Sequence, residues 1–250
     1  MISLNNVGKT YDKVVALHPT SLTVEPGGTT VLIGPSGCGK STVLRLMIGL
    51  IVPDSGAIEI DGTALEISNV IQIRQKIGYV IQDGGLFPHL TSEQNIVLMA
   101  KYLGWSQSDI ALRLTVLTEL VRIPVDNLTR YPHELSGGQR QRIGLMRALF
   151  LDPQILLLDE PLGALDPVTR SELQTELKYI FAKLGKTVVL VTHDMGEAAY
   201  FGSEIVLMRD GKIVQSGTLT DLWKTPSEPF VKDFINAQRS PLEQLTEVGK

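Results

Sequence analysis

The residues best suited to chemistry lie together in Gly34-Pro35-Ser36-Gly37-Cys38-Gly39-Lys40-Ser41-Thr42, which fits G-x-x-x-x-G-K-[ST]. Glycines let a backbone curl so that successive N–H groups point inward, and a helix beginning just after them adds its positive end. That combination is a nest for phosphate oxygens. Lys40 is placed to bridge β- and γ-phosphates, and the Ser41 hydroxyl to reach Mg²⁺. A second chemical pair, Asp159-Glu160, ends the apolar run Ile155-Leu156-Leu157-Leu158. Acids at a strand tip next to a phosphate loop point to a cation or a reacting water, with Asp159 toward Mg²⁺ and Glu160 as the base that orients the water.

Weaker single signals surround these two. Gln82 ends Ile77–Ile81, where it could touch Mg²⁺ or water or simply face solvent. His193 ends Thr187–Thr192, where it could hydrogen-bond a γ-phosphate or be structural. Tyr11 sits in a polar loop between two short strands, either stacking on a base or covering a sheet edge. Leu135-Ser136-Gly137-Gly138-Gln139 opens a helix. Ser136 is a good N-cap, but two first-turn glycines cost about 1 kcal/mol each against alanine. Either the bare backbone meets a second anion there, or the helix start is merely softened.

The elements that must position these residues are legible. Thr30–Ile33 is a buried strand, and Val43, Leu44, Met47 and Ile48 recur at helical spacing, so the glycines lie at a strand-to-helix turn. Ile2–Leu4, Leu17–Val24 and Ala57–Ile60 are strands of another kind, alternating and closed by turns. From Thr91 to Arg122 the pattern is helical, with an N-cap at Thr91 and one apolar face of Ile110, Leu114, Leu117 and Val121. Ile143, Met146, Leu149 and Phe150 form the face of the helix after Ser136. Asp166-Pro167 starts another, striped with Leu173, Leu177, Ile180, Phe181 and Leu184. Ile205–Met208 and Lys212–Val214 read as a hairpin around Asp210-Gly211.

The 250 residues carry 43% hydrophobic and 20% charged side chains and a net charge of -4, with no basic block, so nucleic-acid binding has no electrostatic support. One cysteine, Cys38, excludes an internal disulfide and suits a reducing compartment. No apolar run approaches a membrane span, and the N-terminus has no signal-peptide pattern.

Taken together, the motifs resemble the ATP-binding subunit of an ABC transporter over nearly all of residues 1 to 235. They come in that family's order: Tyr11, the Walker A run Gly34–Thr42, Gln82, the signature Leu135–Gln139, Walker B at Ile155–Glu160, Ala164-Leu165-Asp166 and His193. The resemblance implies an α/β fold: a P-loop NTPase (RecA-like) core with an antiparallel β subdomain, built from residues 1–85 and 155–235. It implies an inserted α-helical subdomain over 86–154, and a short tail, 236–250, with no regulatory domain. It implies ATP and Mg²⁺ (Ser41, Gln82, Asp159), with Glu160, His193 and Gln82 catalytic. The nucleotide would be held by Tyr11, Gly34–Thr42, Ser136–Gln139 and Asp166.

It further implies a head-to-tail homodimer closing on ATP, integral membrane permease subunits, an indirectly coupled substrate-binding protein and a place on the inner face of the cell membrane. Gly85–Thr91 and Tyr131–Leu135 resemble bacterial importer ATPases. Ile77–Gln82, Leu86–His89 and Leu103-Gly104-Trp105 resemble the osmoprotectant branch, which takes up glycine betaine, choline and related amines, while Asp83-Gly84 and Tyr200–Gly202 depart from it. Importers of other small solutes such as amino acids, a soluble ABC ATPase acting on DNA or ribosomes, and a P-loop kinase or GTPase are the alternatives. The last lacks an N-K-x-D guanine motif and leaves Ser136–Gln139 unexplained.

Overall fold

A strand buried on both faces needs no polar alternation, and the apolar runs of this chain assemble accordingly into one largely parallel sheet. The computed structural model describes residues 1–238 apart from Ala164 and the side chain of Asp83. Part of the expected Ala164–Asp166 motif and most of the expected tail therefore lie outside the described residues.

In chain order, β1 (Ile2–Tyr11) and β2 (Val14–Val24) form an antiparallel ribbon. It is turned by Asp12 and Lys13, both at positive φ (42° and 76°), which suits a two-residue hairpin. β3 (Thr29–Ile33) runs through the glycine loop into α1 (Lys40–Met47). β4 (Ser55–Ile60), β5 (Thr63–Ala64) and α2 (Val70–Arg74) precede β6 (Ile77–Val80). Three helices follow, α3 (Ser92–Tyr102), α4 (Gln107–Leu120) and α5 (Gly137–Leu149). The chain then returns through β7 (Ile155–Asp159), α6 (Pro167–Leu184), β8 (Thr187–Thr192) and α7 (Met195–Phe201). It ends with the hairpin β9 (Glu204–Arg209) and β10 (Lys212–Gly217), then α8 (Leu219–Lys224) and α9 (Pro229–Ala237).

Two sheets result, β2-β1-β4-β5 and β10-β9-β3-β8-β7-β6. The second is parallel from β9 to β6, and only β10 runs against it. Its two faces belong to different cores. One face packs Leu32, Leu157 and Val206 against α1 and the antiparallel sheet (Leu44, Met47, Ile2, Leu4). The other joins Leu156, Leu158 and Leu190 to the helices, so that Ile96, Leu117, Ile143 and Met146 share one continuous cluster with the sheet.

Three differences from the sequence expectations have local causes. Tyr11 is not in a loop: it pairs with Val14 as the last residue of β1, because the hairpin turn takes only two residues. The helical stretch from Thr91 to Arg122 is two helices, broken where Gly104 adopts φ 76°. Helix α9 runs past residue 235 to Ala237, burying Val231 and Ile235.

Candidate functional site

The parallel register sets the site. Ile33 lies opposite Thr192, and Asp159 opposite Val191, so β3, β7 and β8 end level with one another. The residues that follow, Gly34, Glu160 and His193, therefore emerge in one row at the carboxyl edge of the sheet, where open α/β sheets place ligands.

The loop after β3 can only be built with glycine at two points. Gly34 (φ 151°) and Gly39 (φ 105°) lie so close to other backbone that a Cβ would stand 2.1 Å from the Met208 carbonyl oxygen and 2.6 Å from that of Ala16. Gly39 is the N-cap of α1 and has no side-chain capping bond, so the first-turn amides stay open. The cleft in front of them has a volume of about 200 Å³ and is lined by Ala16, Glu160 and the loop from Ser36 to Thr42, Cys38 being turned inward and 4% exposed. Lys40 is 5% exposed, and its ammonium donates to the carbonyls of Gly34 (2.8 Å) and Pro35 (3.0 Å). Burial pushes the Cys38 thiol pKa up, against the pull of that ammonium.

Ser41 Oγ donates to Asp159 Oδ1 at 2.9 Å. Burial raises the Asp159 pKa, and the Glu160 charge adds to the rise against the Ser41 bond and the cations Arg45 and Lys40. Tyr79, half-buried at β6, sits beside both Asp159 and Arg45, and its hydroxyl pKa is raised by burial and by the carboxylate. A hydroxyl and a carboxylate are hard oxygen donors that fit Mg²⁺, which keeps waters and takes phosphate oxygens for its remaining positions. Among the described residues there is no group of three or more His, Cys, Asp or Glu that could hold a metal ion.

Glu160 adopts φ 47°, a left-handed conformation that costs a non-glycine residue of order 1–3 kcal/mol. Its amide donates to Val191 O at 3.0 Å, and its Oε2 lies 3.4 Å from Nδ1 of His193. The strained turn thus puts carboxylate and imidazole side by side at the mouth of the cleft.

The remaining expected residues are not brought into this cleft. Tyr11, 41% exposed, stands at the ribbon end with the Lys9 ammonium over its ring. Gln82 is exposed and opens a single-turn helix, Gln82–Gly85. That turn is gripped from α5 by Arg147, whose guanidinium donates to the carbonyls of Gly84 and Gly85, both at 2.8 Å; burial lowers the Arg147 pKa. Ser136 caps α5, accepting the Gln139 amide at 3.3 Å while Gln139 Oε1 takes the Ser136 amide at 2.9 Å. Asp166 caps α6 through the Val168 and Thr169 amides, and the Thr169 contacts hold its pKa low. Gly138 has a reason within its own chain, since a Cβ there would stand 2.6 Å from Thr169 Cγ2.

Sequence reasoning missed Ala16, which contributes only backbone and small size, and the supports Arg45 and Tyr79. It also missed Thr192 and Glu197 behind His193. Glu197 carries a faint signal, an acid in the first turn of a helix whose neighbours Met195 and Ala198 are buried.

Comparison with known proteins matches residues 17–163 to the family described as ABC transporter. Choline transport ATP-binding protein OpuBA of Bacillus subtilis (strain 168) is 46% identical over 240 residues, 96% of this chain. The chain spans 63% of that relative's length. Glycine betaine uptake system ATP-binding protein YehX of Escherichia coli (strain K12) is 43% identical over 94% of this chain and 76% of its own. Among solved structures, the dimeric post-hydrolysis state of the ATP-binding cassette MJ0796 bound to ADP and Pi superposes with a TM-score of 0.80. It is 35% identical, over 88% of this chain and 99% of that one.

Proposed function

The chain belongs to the ABC transporter family, and on that premise we propose that it is the ATP-hydrolysing motor of an importer for osmoprotectants, quaternary amines such as glycine betaine or choline. The observation that carries the ATPase is the single row formed by the glycine nest, Asp159-Glu160 and His193 at one sheet edge. The open amides of α1 and the Lys40 ammonium bind the nucleotide phosphates. Ser41 and Asp159 hold Mg²⁺, which neutralises developing phosphate charge when bound. Glu160 accepts a proton from the attacking water and fixes its direction. His193 stands against Glu160 and hydrogen-bonds the γ-phosphate, and Gln82 reaches the metal or water when its turn moves in. Tyr11 stacks on the base.

The start of α5 serves a second copy. Its Gly137 and Gly138 amides, left over by the Ser136–Gln139 cap, meet the γ-phosphate held by the other chain in a head-to-tail pair, with Asp166 beside the seam. ATP then closes the pair and hydrolysis opens it. An apolar groove of about 530 Å³ beside the Gln82 turn, with Ile71, Ile81, Phe87, Leu98, Met99 and Tyr102 among its walls, receives the membrane permease. A substrate-binding protein delivers cargo to that permease. No described helix is long and apolar enough to cross a membrane. The chain acts from the inner face of the cell membrane through that groove, as an ATP-binding subunit beside a separate permease.

The test is uptake of labelled glycine betaine and choline by cells with the gene, without it, and with Glu160→Gln in its place. Loss of uptake in both defective strains is expected. Unchanged uptake overturns the cargo, with amino acids next to try. A Glu160→Gln protein that hydrolyses MgATP at the normal rate overturns the motor.

A further inference from the structure

Behind His193 lies a buried acid that the hydrolytic assignment leaves unused. Glu197, in the first turn of α7, is 4% exposed, and a buried carboxylate needs partners. Its Oε2 accepts the Thr192 hydroxyl at 2.6 Å. The same Thr192 oxygen accepts the Asp194 amide at 3.0 Å, and Asp194 Oδ1 accepts the Glu197 amide at 3.0 Å. In an ordinary capping box the acid three residues into the helix would take the N-cap amide itself. Here a hydroxyl from the end of β8 is inserted between them, and the bonds close into a ring.

Residue 193 is the one that the ring steps over. Both its neighbours are fixed, yet its own side chain is 59% exposed and leans on Glu160. The backbone, not packing of the ring, therefore aims the imidazole. The Glu197 carboxyl is also within electrostatic reach of Arg170, whose guanidinium donates to the carbonyls of Leu162 and Leu165 at 3.3 and 3.0 Å in the loop after Glu160. Burial raises the Glu197 pKa against the Thr192 bond. One acid thus stands between the loops that carry Glu160 and His193.

We propose that Glu197 is a positioning residue for His193, holding the imidazole against Glu160 through the Thr192 hydroxyl and the Asp194 amide. This rests on the reading of His193 as part of the hydrolytic site. Glu197 sets turnover without touching nucleotide, so its loss acts on kcat and spares ATP affinity. A catalytic group displaced by about an ångström can lose up to ~100-fold.

The experiment measures MgATP turnover, ATP affinity and melting temperature for Glu197→Ala, Glu197→Gln, His193→Ala and the double variant Glu197→Ala with His193→Ala. We expect Glu197→Ala to lower kcat about 10-fold or more at unchanged ATP affinity. Glu197→Gln should recover most of that, because its amide oxygen accepts the same hydroxyl. In the His193→Ala background Glu197→Ala should add nothing. In the nucleotide-free chain, the His193 ring resonance should move in Glu197→Ala while those of His18, His89 and His133 stay. If Glu197→Ala does not fold, Thr192→Val removes the hydroxyl at nearly equal volume and should give the same kcat loss. Losses that multiply in the double variant, or an unmoved His193 resonance, overturn the proposal. Normal turnover in His193→Ala removes the underlying reading of His193, a separate outcome.

Discussion

Two glycine-containing helix starts in this chain look alike in sequence and differ in what they leave open. At α1 the cap is Gly39 at φ 105°, no side chain caps the helix, and the amides face a cleft walled by Glu160 and Ala16. At α5 the cap is Ser136, answered by Gln139 in a closed capping box, and Gly138 is accounted for by the nearness of Thr169. The first start is braced by its own chain and unfinished toward solvent. The second carries two side-chain bonds at its cap, and none of its residues lines that cleft. On the proposed reading, the first start binds phosphate with its own chain's amides, and the second needs a partner from outside to become a site.

The sharpest way to test that contrast is Glu160→Gln. Turnover should fall about 10²–10⁴-fold while MgATP still binds, and pairs of chains should accumulate on a sizing column. Without such pairs, the α5 start has no role beyond its own helix. Next is Lys40→Ala. Its ammonium makes two charge-assisted bonds within the nest, and ATP affinity measured by titration should weaken about 10–100-fold, as expected for a lost contact of about 1.5–3 kcal/mol. Ser136→Ala should lower stability by about 1 kcal/mol, read by denaturant unfolding, and leave ATP affinity of the single chain untouched. Equal loss of affinity at Ser136 and Lys40 would erase the distinction. Smallest is Gly138→Ala paired with Thr169→Ser. The serine removes the methyl that the new Cβ would meet, so melting temperature should return most of the way. If turnover stays low once stability has returned, Gly138 also faces the second copy.

How much of this was legible depended on where the signal lies. Runs such as Ile155–Leu158 were readable as strands because both faces are buried. The Asp210-Gly211 turn announced its hairpin, and both residues do take positive φ. Asp12-Lys13 makes the same kind of turn without a glycine, which is why Tyr11 reads as loop and folds as strand. The glycine loop and the acid pair were legible because their chemistry depends on residue type. The ring around Glu197 was not, since its parts come from a strand end and a helix start, and each residue alone has an ordinary use. The grip of Arg147 on the Gln82 turn was equally hidden, because its acceptors are backbone carbonyls.

The glycine nest is walled by late parts of the chain. Strand β3 is flanked by β8 and β9, Met208 O presses on Gly34, and the Gly211 amide donates to Cys38 O at 3.1 Å. The loop is thus encoded near the beginning and shaped from near the end. A chain being synthesised from its N-terminus carries the whole Gly34–Thr42 motif early, but the contacts of Gly34 with Met208 and of Cys38 with Gly211 form only after residue 211 has emerged. Such long-range closure is slow compared with local helix formation. On the proposed reading, nucleotide therefore selects a chain in which β8 and β9 have docked beside β3, with β10, α8 and α9 still to follow in sequence.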